Sequence, residues 1–302
     1  MTRPRLSGPG GEALPARFRA LQALFASGPK PLRAALLYAT PRLIAPRLPA
    51  FIARYADGRA FELPANEGPY AQIFTLGEFE PAESEAVRTL LRAGDFAVDV
   101  GANLGWFTVL MASCVKPNGE VWAIEPMAPT IASLERNLEL NPELAVRVQP
   151  LAIGAEDGEL DLHLFAGLGH GHASAATLDR TDFTTYRVRV RTLDGLLEHQ
   201  PPPAFVKIDV EGSELDVLRG AERVLSADRP PMWMIEVNYE TGAAFGYRPV
   251  DLLEPFRARP AYEIYRITAD GLVAEREPES APNGSNWALI PEGYRDRLTP
   301  IG

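Results

Sequence analysis

The stretch FAVDVGANLGWFTVLMA, residues 96–112, constrains this chain more than any other. An apolar, β-rich run ends at Val100, a glycine-bearing turn follows, and an apolar run of helical length opens at Gly105. Such a turn presents bare backbone at the carboxyl end of a strand, where open α/β sheets hold their ligands. The alternation recurs downstream. EVWAIEP (120–126), VRVQPLAI (146–153), FVKIDV (205–210) and PMWMIEVN (231–238) predict strands, with helices over 128–141 and 213–227. ELDLHLF (159–165) and YRVRVRTL (186–193) alternate strictly and predict half-exposed strands, whereas glycine-rich 167–180 predicts a loop. YEIYRI, a turn at Asp270-Gly271 and LVAER predict a hairpin, and NWALIP a last strand. Strands separated by helices need crossover connections. The expected fold is therefore α/β, a Rossmann-like doubly wound sheet with an antiparallel edge strand.

Composition removes several functions. The net charge of −10 opposes a sequence-independent grip on nucleic acid, and Cys114 is the only cysteine, which excludes an internal disulfide and a cysteine-based zinc site. No apolar run approaches the roughly 20 residues of a membrane span, so no transmembrane segment is expected. The amino terminus lacks the apolar segment of a secretory signal, and a cytoplasmic location is expected. Charge is uneven, however. Residues 1–60 carry ten arginines and lysines against Glu12 and Asp57, roughly +8, which leaves the remainder near −18. This Pro- and Ala-rich segment is expected to be a helical N-terminal extension or cap, with ARFRALQALFA placing Phe18, Leu21, Leu24 and Phe25 on one face. Residues 61–302 then form the main domain.

The turn discriminates between cofactors. A dinucleotide fingerprint reads G-x-G-x-x-G, but from Gly101 this chain reads G-A-N-L-G-W, with Asn103 and Trp106 in the glycine places. Asp99 sharpens the distinction. A carboxylate there would repel a pyrophosphate and would favour an ammonium or sulfonium, as in S-adenosylmethionine. Glu125, at the end of the second strand, is placed for ribose hydroxyls, a role shared by both cofactor types. The plain alternative is a tight strand–helix turn with no ligand.

DVGANLGWFT, AIEP and KIDVEGSELDVLRG together resemble the FkbM-type S-adenosylmethionine-dependent methyltransferases, over about Gly77 to Asn238. TLGEFEPAESEAVRTLLRAGD is similar to the helix that precedes the first strand in that family. The resemblance implies a class I methyltransferase fold and, usually, methylation of a hydroxyl oxygen, with polyketide and saccharide hydroxyls among the acceptors. Cofactor-binding residues are then expected at Asp99, Gly101, Ala102, Asn103, Gly105, Phe107, Glu125, Ala152 and Ile153. The last two stand where the adenine edge is held in this fold, and either Trp106 or Phe107 is expected to be core packing.

An aliphatic hydroxyl is a weak nucleophile and benefits from a base within hydrogen-bond reach. Strand alternation puts Lys207 and Asp209 on one face, with Asp209 at the strand's mouth. Asp209 is the leading acid, Glu211 the second, and His170 or His172 in the glycine-flanked loop a third source. Lys207 is either catalytic or a structural partner of an acid, and Glu214 is expected to support its helix. His163 and His199 read as structural or solvated. A divalent metal such as Mg²⁺ on Asp209, Glu236 and Asn238 is a less favoured alternative. The rival functions are a nicotinamide-dependent oxidoreductase and a catalytically silent binding protein of the same fold. The expected partner is a small-molecule or sugar hydroxyl acceptor and not a nucleic acid; a homo-oligomer is compatible with the composition.

Overall fold

The computed structural model describes residues 3–27, 47–48, 50–65, 69–165, 173–174, 182–257, 259, 262–276, 278–280 and 282–298. In chain order its strands are β1 (Arg5–Ser7), β2 (Ala50–Arg54), β3 (Ala60–Pro64), β4 (Phe96–Val100), β5 (Glu120–Ile124), β6 (Val146–Gln149), β7 (Ala152–Ile153) and β8 (Gly158–Phe165). They continue as β9 (Ala173–Ser174), β10 (Phe183–Arg191), β11 (Phe205–Ile208), β12 (Met232–Val237), β13 (Tyr262–Thr268), β14 (Gly271–Ala274) and β15 (Ser285–Pro291).

The main sheet has the order β14-β13-β15-β12-β11-β4-β5-β6. Strands β6, β5, β4, β11 and β12 are parallel, as crossover helices require. The chain winds outward from β4 through β5 to β6 and then returns to β11, so the strand order reverses between β4 and β11. That reversal opens the crevice in which doubly wound sheets hold their ligands. β14 is an antiparallel edge strand, and NWALIP, as β15, is inserted antiparallel between β12 and β13. One face of the sheet packs Ala97, Phe205 and Met234 against Leu90, Phe107 and Val109; the other packs Val98, Val206 and Trp233 against Leu215, Val217 and Leu218. Among the described residues no helix is long and apolar enough to cross a membrane.

Three expectations change. VRVQPLAI is two strands, because Pro150 has no N–H for a ladder; β6 stays in the main sheet and β7 pairs with β10 in a second sheet of order β7-β10-β8-β9. The helix expected over 213–227 ends at Gly220 and restarts, giving Glu214–Arg219 and Glu222–Leu225. The N-terminal segment is not simply a helical cap. It contains the helix Ala16–Ser27, with Phe18 buried, but also β1 and β2, and the β2–β3 hairpin crosses the expected boundary at residue 60. Leu14, Phe18, Phe51 and Phe61 share one hydrophobic cluster with Phe107 and Phe205. Asn141 clasps Ala60 through both its backbone N–H (2.9 Å) and its carbonyl (2.7 Å), fixing the hairpin to the main domain. The loop expected over 167–180 lies outside the described residues except for Ala173–Ser174, which form β9 beside His163 and Leu164.

Candidate active site

The turn after β4 is built by glycines that no other residue replaces. Gly101 has φ 85°, and a Cβ on it would stand 1.8 Å from the carbonyl oxygen of Asp209. Its bareness lets the exits of β4 and β11 touch. Gly105 has φ 93° and caps the helix Trp106–Val115, where a Cβ would meet Leu134 at 2.5 Å. Between them Asn103 adopts φ 51°, a left-handed conformation asparagine tolerates, and its Oδ1 accepts from Leu104 N at 2.7 Å. Glu125 secures this turn from the next strand. Its Oε2 accepts from Asn103 N and its Oε1 from Met127 N, both at 3.0 Å. Burial pushes the Glu125 carboxyl up to about 7, against those two hydrogen bonds.

Beside the turn lies a charge triad in which Asp99 and Lys207 are buried and Asp209 is half-buried. Asp99 is fully buried; its Oδ2 accepts from Thr108 Oγ1 at 2.6 Å, and its Oδ1 has no hydrogen-bond partner among the described residues. Burial raises its pKa, opposed by Lys207 and by the Thr108 bond. Lys207 stands opposite Asp99 in the β4–β11 register, donates to Asp209 Oδ2 at 2.8 Å and lies 4.6 Å from the centre of the Phe107 ring. Burial works against its charge, but Asp209 and Asp99 outweigh burial and hold its pKa above the usual lysine value. Lys207 is therefore a fixed ammonium.

Glu214 holds the next turn. Its Oε1 accepts from Val210 N and Gly212 N, both at 3.1 Å, and its Oε2 from Tyr247 Oη at 2.6 Å. These bonds frame Glu211, which adopts φ 55°. Glu80, at φ 42° ahead of Pro81, enters from the opposite side, and burial pushes it up to about 8 with a further push from Asp209.

A cavity of about 300 Å³ gathers these groups. Asp99, Gly101, Ala102, Asn103, Phe107, Glu125, Ala152, Ile153, Lys207, Asp209 and Glu211 all line it. Gly105 does not; it starts the helix behind the wall. Both Trp106 and Phe107 are buried and both reach the cavity. His170 and His172 lie outside the described residues. His163, 3.0 Å from Thr185 Oγ1, and His199, 4.0 Å from Glu198, are outside the lining. Sequence reasoning missed Glu80, Phe79, Leu160 and Leu162, and it weighed Glu236 only as a metal ligand. Of the residues weighed for a metal, Asp209 and Glu236 line the cavity and Asn238 does not. Asn238 Oδ1 accepts from Glu240 N (3.0 Å) and Thr241 N (3.2 Å) as a helix cap, and the described residues hold no group of three or more His, Cys, Asp or Glu placed for a metal.

One end of the cavity is thus apolar, with Met127, Leu151, Ile153, Leu160 and Leu162, and the rest of its lining carries six acids, Glu80, Asp99, Glu125, Asp209, Glu211 and Glu236, with the Lys207 ammonium. Comparison with known proteins adds the family. The model of the methyltransferase FkbM domain matches residues 99–258, more than half of the chain. Methyltransferase 1 of Beauveria bassiana is 30% identical over 147 residues, which cover 42% of this chain and 58% of that protein. The chain thus spans little more than half the length of that relative. Hexuronic acid methyltransferase AglP of Haloferax volcanii is 27% identical over 198 residues, covering 58% of this chain and 78% of the relative. Among solved structures, the FkbM methyltransferase of Methylobacillus flagellatus aligns with 19% identity and a TM-score of 0.44, over 73% of this chain and 52% of that one.

Proposed function

The chain belongs to the methyltransferase FkbM domain family, and on that premise we propose that it moves a methyl group from S-adenosylmethionine to a hydroxyl oxygen of a small-molecule or saccharide-like acceptor. The observation that carries the cofactor reading is the bare Oδ1 of Asp99, a buried carboxylate oxygen without a partner at the cavity wall. A buried acceptor of this kind calls for a cationic donor, and the methionine ammonium supplies one. Glu125 keeps lone pairs free for ribose hydroxyls beyond its two backbone bonds, and the apolar end suits an adenine ring. When bound, the cofactor supplies a methyl carbon already activated by its sulfonium leaving group. The residues of the chain have the remaining tasks: to align the acceptor, to exclude water and to receive a proton. The Lys207–Asp209 pair faces the acceptor end, and its outer carboxylate oxygen is suited to orienting a hydroxyl.

The saccharide side of the proposal draws on the relative named for hexuronic acid. The nicotinamide reading is disfavoured by Asp99, whose charge would face a pyrophosphate. The test is transfer of labelled methyl from S-adenosylmethionine to a panel of mono- and oligosaccharides and hydroxylated small molecules. Label appearing as a methyl ether is expected. Label found only on amines, carboxyl groups or nucleic acid would overturn the assignment to a hydroxyl.

A further inference from the structure

Glu236 ends β12 and enters the cavity beside Asp209. Ile208 and Ile235 are in register across the parallel β11–β12 pair, so the residues that follow leave the sheet side by side, on the face shared by Lys207 and Met234. Their circumstances differ. Asp209 Oδ2 accepts from the Lys207 ammonium at 2.8 Å, which commits that oxygen and fixes the side chain. Glu236 is half-buried, and its side chain has no hydrogen bond or ion pair with any described residue. Its cross-strand neighbour Asn286 donates to Glu83 Oε1 at 3.3 Å. Asp99 is held by Thr108, and Glu125 by Asn103 and Met127. Glu80 is also bare, but it hangs on the turn before Pro81, whereas Glu236 is set on the rigid carboxyl edge of the sheet.

Building on the methyl-transfer reading above, we propose that Glu236 is the general base, taking the proton of the acceptor hydroxyl, while Asp209, held by Lys207, positions the acceptor. The bond between hydroxyl oxygen and methyl carbon forms as the carbon–sulfur bond breaks, and the electron pair of that bond stays on sulfur. The hydroxyl proton ends on the Glu236 carboxylate, which later releases it to water. The surroundings tune this group. Burial pushes Glu236 up to about 8, Asp209, Glu211 and Glu214 push the same way, and Lys207 opposes them; Glu80 and Glu83 lie on the helix side. The carboxyl therefore holds its proton more firmly than an ordinary carboxylate, and a sulfonium nearby favours its ionised, proton-accepting form.

The test needs no acceptor. Protein labelled with ¹³C at the glutamate carboxyls is titrated in complex with S-adenosylmethionine and with S-adenosylhomocysteine, and the Glu236 resonance is the one missing from Glu236→Gln. The Glu236 midpoint is expected to lie about one unit or more lower in the sulfonium complex than in the neutral one. Equal midpoints with both ligands bound would overturn the role of Glu236 and leave the cofactor reading intact; failure of either ligand to bind would overturn both. With a saccharide that accepts label in the panel, Glu236→Gln is expected to lose about 10²- to 10⁴-fold in kcat with its KM for S-adenosylmethionine within about threefold. Turnover within tenfold of the parent would also sink the assignment, and a larger loss in Glu80→Gln than in Glu236→Gln would transfer the role to Glu80.

Discussion

Replacing Asp99 with asparagine removes one negative charge and keeps the shape of the side chain. The amide oxygen still accepts from Thr108 across the 2.6 Å contact, so the amide nitrogen takes the place of Oδ1, the oxygen without a partner. That nitrogen is a donor where the proposal needs an acceptor for an ammonium. A hydrogen bond to a charged group is worth about 1.5–3 kcal/mol, and truncating one side of a buried charged pair costs about 2–5 kcal/mol. Taking about 2–4 kcal/mol, the dissociation constant rises about 30- to 700-fold. Lys207 loses one of its two acids, but Asp209 still holds it at 2.8 Å, so the fold is retained. Calorimetric titration with S-adenosylmethionine and S-adenosylhomocysteine reads the effect, and a melting curve checks the fold. Both ligands carry the ammonium, so both are expected to weaken alike; a loss confined to the methylated one would place Asp99 against the sulfur. Dissociation constants within about threefold of the parent for both, in a protein that melts normally, would refute the reasoning.

Glu125 gives affinity a pH dependence: its carboxyl titrates near 7, and only the ionised form accepts two ribose hydroxyls. The dissociation constant of S-adenosylhomocysteine is therefore expected to rise by up to about tenfold per unit as pH falls below 7, with the slope reduced in Glu125→Gln. Gly101→Ala sets a methyl 1.8 Å from the Asp209 carbonyl at φ 85°, and is expected to cost about 3 kcal/mol or more, a fall of about 5–10 °C in Tm. Lys207→Met leaves Asp99 and Asp209 without their shared cation, which should destabilise the protein by about 3–5 kcal/mol. Its melting temperature should fall more at pH 8 than at pH 5, because protonation relieves the freed acids.

The central strands were legible because FAVDV, EVWAI, FVKI and MWMIEV are apolar on both faces, a pattern only a covered parallel sheet explains. Asp99 and Glu125 followed from standing at the mouths of such strands. Lys207 and Asp209 share a face by alternation, but the second acid on Lys207, Asp99, stands opposite it in a strand about a hundred residues away, which alternation alone does not reveal. The N-terminal hairpin did leave a signal, since AFIAR and AFELP flank a turn at Asp57-Gly58, but the surrounding alanines and arginines favoured a helical reading. Glu80 left none. It reaches the cavity only because the helix Pro81–Leu90 packs beside Trp106–Val115, with Ser84 Oγ accepting from Trp106 Nε1 at 3.0 Å.

The most direct measurement is one calorimetric series on the unaltered protein at pH 8 with S-adenosylmethionine, S-adenosylhomocysteine and a nicotinamide dinucleotide. Saturable one-to-one heats with the first two, in mutual competition, and none with the third are the outcome that an acidic mouth at β4 requires. Uptake of the dinucleotide with no response to either sulfur compound would contradict it.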